Sequence, residues 1–513
     1  MFHQPRILPA ATRTARLQFA ILLAGAALIA VSILVRPSNR DEGQYVAAIA
    51  LMRSGWPYRD FAFLQTPLQP LLLSPLAAIP AGWLLIAAKC VNGLFALLTA
   101  WLLFRQLSGR VAMRSAAVAV GALLCTEPFL FAASQARNDA LPILLLAGGQ
   151  AAMLRSIDGH RRTLASAVAG LLFGLAISAK ISSALPGLGA GIYVLLALRR
   201  TGPKPLLAFV AAILAGLMPC AILAAMAPDS FGFGVFTYSL EAPTQWWSSI
   251  GQGQVLNAAD RIGRLLLLSL PGMILVGLAA AALDRRSTGE RRMLDLMIVG
   301  GVIGAYLPEP AFRQYLIPLL PALTVRLALA IDRLPRRTAY NSAAAALGLT
   351  SFAGLVPTVG YTLRVAHHGP DLIRTFEDAR ALPTIAAGKS VATLSPERVA
   401  GSDIRLDPRF AAGPFLFRTF GRLSEEAALY GHSPNWQRID GALDQQPPGV
   451  IVVGGEARPF PSLHPRGLDG WLEAWARTRG YRRVPLPGGD LTAYVRPNRS
   501  QEGVDSFPRP MPE

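Results

Sequence analysis

Long apolar runs, separated by short charged connections, fill the first two thirds of the chain. A helix needs about 20 apolar residues to cross the roughly 30 Å hydrocarbon core of a membrane. The pattern therefore predicts an α-helical polytopic membrane protein with about eleven transmembrane helices. They lie near residues 17–35, 84–104, 112–134, 139–154, 163–180, 182–198, 205–227, 264–283, 293–308, 313–331 and 340–361.

The pattern changes near residue 366 to that of a water-soluble domain. The stretches "GKSVATLS", "PPGVIVVGG" and "DLTAYVRP" predict short β-strands, and "DGWLEAWARTRG" predicts a helix between two of them. We therefore divide the chain into a transmembrane core at 1–365, a small C-terminal α/β domain at 366–495 and a tail at 496–513. The tail is polar and Pro-rich, and we expect it to be disordered.

Charge differs between the two alternating sets of connections. Those of one set are all basic, for example around Arg105, Arg110 and Arg114, whereas those of the other set are longer or more acidic. The positive-inside rule places the basic set and the N-terminus in the cytoplasm. We therefore expect the first loop (36–83) and the C-terminal domain on the outer face, which is the periplasm for a chain in the inner membrane of a Gram-negative cell.

Composition narrows the class of protein further. Hydrophobic residues make up 52% of the chain and charged residues 16%, which soluble domains rarely show. The formal net charge of +18 comes from short basic clusters between apolar runs, so we assign it to topology and predict no nucleic-acid partner. No Walker-type phosphate loop or dinucleotide fingerprint is present in the sequence, which argues against ATP-driven transport.

Two acids, Asp41 and Glu42, follow the first apolar run directly. Because an unpaired charge in hydrocarbon is costly, they must lie in water or be paired. One possibility is an interfacial loop in which they balance Arg36 and Arg40. The rest of the first loop predicts an amphipathic helix, an aromatic turn and a Pro-interrupted apolar stretch, which is typical of helices lying on a membrane surface.

Several motifs, in one order and on one predicted face, resemble those of a known family. They are Asp41-Glu42 followed by "GWPYRDF" and "TPLQPLL", then "ARND" at 136–139, "SAK" at 178–180 and "FRQYLIPLLP" at 312–321. Together they resemble the GT-C glycosyltransferases, especially the protein mannosyltransferases and aminoarabinose transferases of families 39 and 83. The resemblance covers residues 17–365. It implies a multi-span core, a C-terminal periplasmic domain and a polyprenyl-phosphate sugar donor.

The resemblance also implies roles for three acids. The first-loop acid of that family is catalytic, which maps onto Asp41 as the general base that takes the acceptor proton in a single inverting displacement. Glu42 is either a supporting acid or a structural residue bonded to the loop backbone. Asp139 would bind the acceptor, help to hold a divalent metal or cap the helix that follows it. The sequence has no His/Asp cluster with ligand spacing, so a divalent metal stays open and no cofactor is required.

A departing polyprenyl phosphate gains negative charge, which fixed cations must meet. Lys180, Arg313 and Arg137 lie at the predicted outer ends of spans and are candidate ligands of the donor phosphate, with Tyr315 beside them. The alternative for the basic residues is snorkelling toward lipid headgroups, and a tyrosine at the membrane interface is ordinary.

Candidate ligands of the sugar or the acceptor come from two loops. Trp246 and Trp247, in the Gly- and aromatic-rich loop 228–262, could stack on a sugar ring or belong to the interfacial aromatic belt. Tyr58, Asp60 and Glu241 complete this set of candidates.

Three functions are compatible with a multi-span protein of this kind. The first is an inner-membrane glycosyltransferase that moves a sugar from a polyprenyl-phosphate donor to lipid A, lipopolysaccharide, another envelope glycan or a protein. A flippase or transporter of lipid-linked sugars predicts charges in the middle of spans and duplicated halves, whereas here the notable charges lie at span ends and the halves do not repeat. An O-antigen polymerase or ligase shares these substrates but usually carries its main functional loop late in the chain. The early acidic loop therefore favours the transferase.

Overall fold

A computed structural model describes residues 10–334, 337–435, 438–456 and 467–497. The predicted tail at 496–513 lies outside these ranges from residue 498 onward. The core contains α1 (Ala10–Val35), α2 (Glu42–Leu51), α3 (Leu68–Leu73), α4 (Trp83–Leu107), α5 (Met113–Leu124), α6 (Glu127–Ser134), α7 (Ala140–Ile157), α8 (Arg162–Ala179), α9 (Ala184–Leu196), α10 (Leu198–Thr201), α11 (Pro203–Gly216), α12 (Met218–Met226), α13 (Pro228–Gly232), α14 (Tyr238–Ser249), α15 (Ala258–Ser269), α16 (Ile274–Leu283), α17 (Gly289–Tyr306), α18 (Leu320–Ile331) and α19 (Arg337–His368). Short 3-10 helices at Ser74–Ala78, Ile181–Ser183, Gly253–Leu256 and Arg313–Leu319 and a π-helical turn at Phe233–Thr237 join them.

Several helices of the described residues are long and apolar enough to cross a membrane. There are six, or up to nine if each of three bent pairs forms one span. The predicted multi-span architecture is confirmed, but the count of eleven is not. The segment Ile181–Leu196 is shorter than a full span. The helix α17 begins with a charged turn that contains Glu290, Arg291 and Arg292.

The predicted span at 264–283 is divided into two helices by a sharp bend. The helices α15 and α16 meet at an angle of 97°. The break contains Pro271 and Gly272, and the φ of +125° at Gly272 is a conformation that residues with a Cβ rarely adopt. A Cβ at Gly272 would also lie 2.5 Å from Thr126 Oγ1, so this turn packs tightly against the bend between α5 and α6.

The first loop is more deeply buried than its sequence suggests. All ten residues of α2 are buried, so the prediction of an amphipathic helix lying on the membrane surface is wrong for this element. One apolar cluster contains Tyr45 and Ile49 of α2 together with Val391 and Val450 of the C-terminal domain. The soluble domain therefore covers the face of α2 that would otherwise meet water.

The C-terminal region forms the predicted small α/β domain. Its helices are α20 (Asp371–Ala386), α21 (Gly421–Tyr430), α22 (Ile439–Gln445) and α23 (Gly467–Thr478), and its strands are β1 (Ser390–Thr393), β2 (Arg405–Leu406), β3 (Val450–Val453), β4 (Arg482–Pro485) and β5 (Thr492–Val495). The sheet order is β2-β1-β3-β5-β4, with β1 parallel to β2 and β3, and β5 antiparallel to β3 and β4. The central strand β3 is buried throughout, as its continuous "VIVV" run requires. The proposed boundary at 365/366 falls near the end of α19, which continues to His368.

Candidate functional site

Four charged side chains from three parts of the core form one chain of ion pairs, which we call the charge chain. Asp41, directly before α2, accepts a hydrogen bond from Arg137, and Arg137 Nε lies 2.9 Å from Asp139 Oδ2. Lys180, at the end of α8, donates to the other oxygen of Asp139. The predicted motifs "ARND" and "SAK" therefore meet Asp41 in space.

Exposure differs sharply along the charge chain. The side chain of Asp139 is 0% exposed, and those of Arg137 and Lys180 are 5% and 8% exposed. The side chain of Asp41 is 33% exposed. Asp41 is thus the one member of the charge chain with a carboxylate that a substrate can reach, while the other three hold each other inside the protein.

A second group of charges, the Glu127 cluster, consists of Arg36, Glu127 and Arg313. Arg36 makes two hydrogen bonds to Glu127, of 3.1 and 2.5 Å, and Arg313 Nη1 lies 2.5 Å from Glu127 Oε1. Two arginines and one glutamate leave this cluster with one excess positive charge. Arg36 is buried, whereas the side chain of Arg313 is 36% exposed.

One aromatic ring connects the two groups of charges. The guanidinium carbon of Arg137 lies 5.2 Å from the centre of the Phe131 ring, and that of Arg313 lies 4.9 Å from it. Each distance is in the range of a cation–π contact. Phe131 therefore holds the two arginines near each other without neutralising either of them.

Tyrosines border the charge chain. Tyr45 Oη donates to Asn138 Oδ1 at 2.7 Å, and Asn138 Nδ2 donates to the backbone oxygen of Ala179 at 3.0 Å, which fixes the segment before α7 against the end of α8. Tyr315 is half-buried and lies within electrostatic range of Arg137. This agrees with its predicted place beside the cations.

Comparison with known proteins assigns the chain to a class. Residues 63–310, just under half of the chain, match the model of glycosyltransferase family 87. The matched stretch contains Arg137, Asp139 and Lys180 and begins after Asp41. Searched against curated proteins, the sequence gives no match.

Solved structures give the fold. ArnT from Cupriavidus metallidurans in the apo state superposes with a TM-score of 0.58 at 15% identity, covering 95% of this chain and 98% of ArnT. The chain has the GT-C fold. ArnT bound to undecaprenyl phosphate superposes with a TM-score of 0.57 at 15% identity over the same shares of the two chains. The GT-C fold expected from the first-loop and span-end motifs is confirmed, and the family model that matches is that of family 87.

The capping alternative for Asp139 is not supported. Asp139 occupies the position before α7, but its side chain makes no capping hydrogen bond. Its two oxygens bind Arg137 and Lys180 instead. Charge-assisted bonds to two cations are stronger than a bond to a backbone amide, which explains the preference.

Glu42 has the geometry of the structural alternative. Its side chain is fully buried and lies 2.9 Å from Lys89 Nζ. It also accepts hydrogen bonds from the backbone amides of Ala136, at 2.5 Å, and Asn39, at 2.7 Å. Glu42 therefore ties the first loop to α4 and to the segment that carries Arg137, and its carboxylate is not open to a substrate.

The suggestion that Arg36 and Arg40 balance Asp41 and Glu42 is wrong. Arg36 pairs with Glu127, and Arg40 pairs with Glu456 of the C-terminal domain. Asp41 and Glu42 instead pair with Arg137 and Lys89 of the core.

Of the five candidate sugar or acceptor ligands, two lie in the first loop. Tyr58 is buried and packs edge-on against Phe63 and Phe231, so its ring is not available to a sugar. Asp60 is partly exposed and pairs with Arg59, whose hydrogen bond holds the pKa of the Asp60 carboxyl below its ordinary value.

The other three candidate ligands lie on α14 and face the soluble domain. Glu241 lies 2.7 Å from Arg422 of α21. The rings of Trp246 and Trp247 meet edge-on at 4.8 Å, and the Arg418 guanidinium lies 5.5 Å from the centre of the Trp246 ring. The helix α14 thus contacts the C-terminal domain through an ion pair and through a cation–π contact.

The charge chain does not fit a divalent metal. Within the ranges the structure describes, no three His, Cys, Asp or Glu side chains come together as a metal site. Asp41 and Asp139 are both bound to the same guanidinium, that of Arg137, which lies between them. We assign no metal role to either acid.

Three residues of the site, Glu127, Phe131 and Lys89, were not predicted from the sequence. Glu127 lies inside the predicted span 112–134 and Lys89 inside the predicted span 84–104. An ionisable residue inside a span is rare and demands a partner, so this signal was present in the sequence. For Phe131 the sequence carried no such signal, because aromatic residues are common in apolar runs.

Proposed function

We propose that this protein of GT-C fold is a glycosyltransferase that transfers a sugar from a polyprenyl-phosphate donor to an acceptor of the cell envelope, with Asp41 as the general base. The observation that carries the proposal is the position of Asp41 at the exposed end of an otherwise buried charge chain. The bound undecaprenyl phosphate of ArnT, which has the same fold, supports a lipid-phosphate donor.

In the proposed reaction, the acceptor hydroxyl oxygen attacks the anomeric carbon of the donor sugar. Asp41 takes the hydroxyl proton as the new C–O bond forms. The bond between the anomeric carbon and the phosphate oxygen breaks, and its electron pair leaves with the polyprenyl phosphate. A single displacement of this kind inverts the anomeric configuration. Arg137 holds the Asp41 carboxylate in place through the hydrogen bond to its Oδ2.

The leaving phosphate needs a cation that is not already neutralised. Lys180 is buried and paired with Asp139, so its charge balances that acid. Arg313 is the more accessible cation, and the Glu127 cluster to which it belongs carries one excess positive charge. We therefore assign Arg313 as the phosphate ligand.

The outer face of the inner membrane is the proposed location of the reaction. The positive-inside rule supports this proposal, since the basic connections favour a cytoplasmic position for their own set and an outer position for the first loop with Asp41. Nucleotide sugars are cytosolic, so an enzyme with its base outside needs a donor that has crossed the membrane on a lipid. The acceptor is a hydroxyl of lipid A, lipopolysaccharide, another envelope glycan or a protein.

The test is Asp41→Asn in membranes supplied with a panel of radiolabelled undecaprenyl-phosphate sugars. The variant should lose transfer while the matched control Asp229→Asn, which changes an exposed acid of α13, should keep it. Undiminished transfer by a stably expressed Asp41→Asn protein would refute the assignment. Movement of labelled donor across the membrane without any transfer, in the wild type, would favour the flippase.

A further inference from the structure

The soluble domain binds the residue immediately before the proposed base. Arg40 Nε lies 2.7 Å from Glu456 Oε2, and the Glu456 side chain is only 4% exposed. Arg418, also from the soluble domain, donates to the other oxygen of Glu456. An acid of the C-terminal domain therefore reaches the first loop one residue away from Asp41.

The position of Glu456 is itself fixed by its own domain. Glu456 follows β3, and its backbone amide donates to Asp469 Oδ2 at 2.7 Å. The amide of Gly454 donates to the same oxygen at 2.8 Å. Asp469 belongs to α23, so hydrogen bonds tie the end of the central strand and Glu456 to the helix behind them.

Two further contacts join the soluble domain to the same short stretch, residues 38–43. The backbone amide of Ser38 donates to Asp371 Oδ2 at 3.0 Å. A Cβ at Gly43 would lie 2.8 Å from Glu397 Oε2, so the lack of a side chain there allows the close approach. Asp41, in the middle of this stretch, turns instead to Arg137 of the core. The stretch is therefore held from both sides.

We propose that Glu456 is a positioning residue for the transfer reaction: through Arg40 it fixes the backbone that carries Asp41 and offsets the positive charge of the residue that precedes Asp41 in the chain. This inference rests on the proposed role of Asp41. A catalytic group displaced by about 1 Å can lose a hundredfold in rate, so a contact one residue away is close enough to matter. Added positive charge beside a carboxylate also stabilises its charged form and makes it a weaker base.

The two partners should therefore have opposite electrostatic effects. Removing the charge of Glu456 leaves more net positive charge around Arg40 and should move the acid limb of the pH profile of kcat to lower pH. Removing Arg40 takes away a cation and should move the same limb to higher pH. A contact that merely stabilised the fold would not produce shifts of opposite sign.

The experiment compares full-length Glu456→Gln and Arg40→Gln with wild type, using the undecaprenyl-phosphate sugar that gives transfer in the panel. For Glu456→Gln we expect kcat to fall about tenfold and KM for the donor to change less than about twofold. The matched control is Asp444→Asn, which removes an ion pair to Arg479, 2.7 Å long, on the surface of the same domain. This control should behave as wild type.

A folded Glu456→Gln protein with the wild-type kcat and pH profile would overturn the inference. If Glu456→Gln does not fold, Arg40→Gln decides alone, since an unshifted acid limb overturns the inference and a shift to higher pH supports it. Active Asp41→Asn would refute the proposed function and this inference with it. Inactive Asp41→Asn together with unaltered Glu456→Gln would refute the positioning role only.

Discussion

Lys89 Nζ lies 2.9 Å from Glu42 Oε1, and neither side chain is exposed to solvent. Lys89 comes from α4 and Glu42 is the first residue of α2, directly after Asp41. The ion pair holds the start of α2 against α4. Asp41, the proposed base, therefore directly precedes a buried residue whose charge is neutralised, while its own carboxylate is accessible to a substrate.

The first prediction concerns the stability that this pair provides. Lys89→Met should lower the free energy of unfolding by about 3–5 kcal/mol, because it leaves the Glu42 charge buried without its cation. The double variant Lys89→Met with Glu42→Gln removes both charges and should recover most of the loss. Thermal unfolding in detergent measures both variants. Strictly additive losses in the double variant would contradict the pairing.

The second prediction separates Arg313, the proposed phosphate ligand, from Lys180, whose charge balances Asp139. Arg313→Gln should weaken binding of undecaprenyl phosphate about tenfold, since a hydrogen bond to a charged group contributes about 1.5–3 kcal/mol. Its thermal stability should stay near that of wild type, because Glu127 keeps Arg36. Titration of the purified protein with undecaprenyl phosphate gives the Kd.

Lys180→Gln, in contrast to Arg313→Gln, should clearly lower the thermal stability, because Asp139 loses a buried partner. The control for binding is Arg264→Gln, which changes an exposed arginine of α15. If Arg313→Gln bound undecaprenyl phosphate as tightly as this control, another cation would have to be the phosphate ligand.

The third prediction concerns pH. The pKa of Glu397 is raised to about 8, chiefly by burial, with smaller contributions from the Glu42 and Glu456 charges, while Arg398 acts in the opposite direction. The folded protein therefore holds this proton more tightly than the unfolded chain, whose glutamates titrate near a pH of about 4.3. The contribution of Glu397 to stability falls as pH rises from about 4.3 to about 8 and is constant above that range.

Glu397→Gln should remove this part of the pH dependence and make the protein more stable than wild type at pH 8 and above. The pKa of Asp378 and that of Asp469 are each raised to about 6, chiefly by burial, so these two acids also make the stability depend on pH. The contribution of Glu397 is therefore obtained from the difference between the melting temperatures of wild type and Glu397→Gln, measured from pH 5 to 9. A difference that did not change with pH would show that Glu397 is charged throughout.

Much of the site was predictable because its members lie at helix ends on one face. Topology puts the residues after a first span, before a fourth and after a fifth at the same membrane surface, and the resemblance to the GT-C family selected Asp41 and Asp139 among them. Their bridging by Arg137 was not predicted. The strands β1, β3 and β5 of the soluble domain were also visible, because a short buried run such as "VIVV" between two glycines is typical of a central strand, whereas β2 and β4 were not predicted.

The remainder depends on contacts between distant parts of the chain. Glu127 is 91 residues from Arg36 and 186 from Arg313, and no local pattern indicates such partners. The burial of α2 depends on the soluble domain, more than three hundred residues later, packing against it. A periodic pattern reports which face of a helix is apolar but not what covers its other face.

The role of Asp41 in removing the acceptor proton is tested most directly by the transfer rate of Asp41→Asn at saturating donor, with the Kd for undecaprenyl phosphate measured on the same preparation. A lost general base should cost about 10²–10⁴ in rate. We predict a decrease of that size with a Kd within about threefold of wild type, because Asp41 is not a ligand of the phosphate in the proposed mechanism. Transfer at the wild-type rate by a folded Asp41→Asn protein would contradict the assignment of Asp41 as the general base.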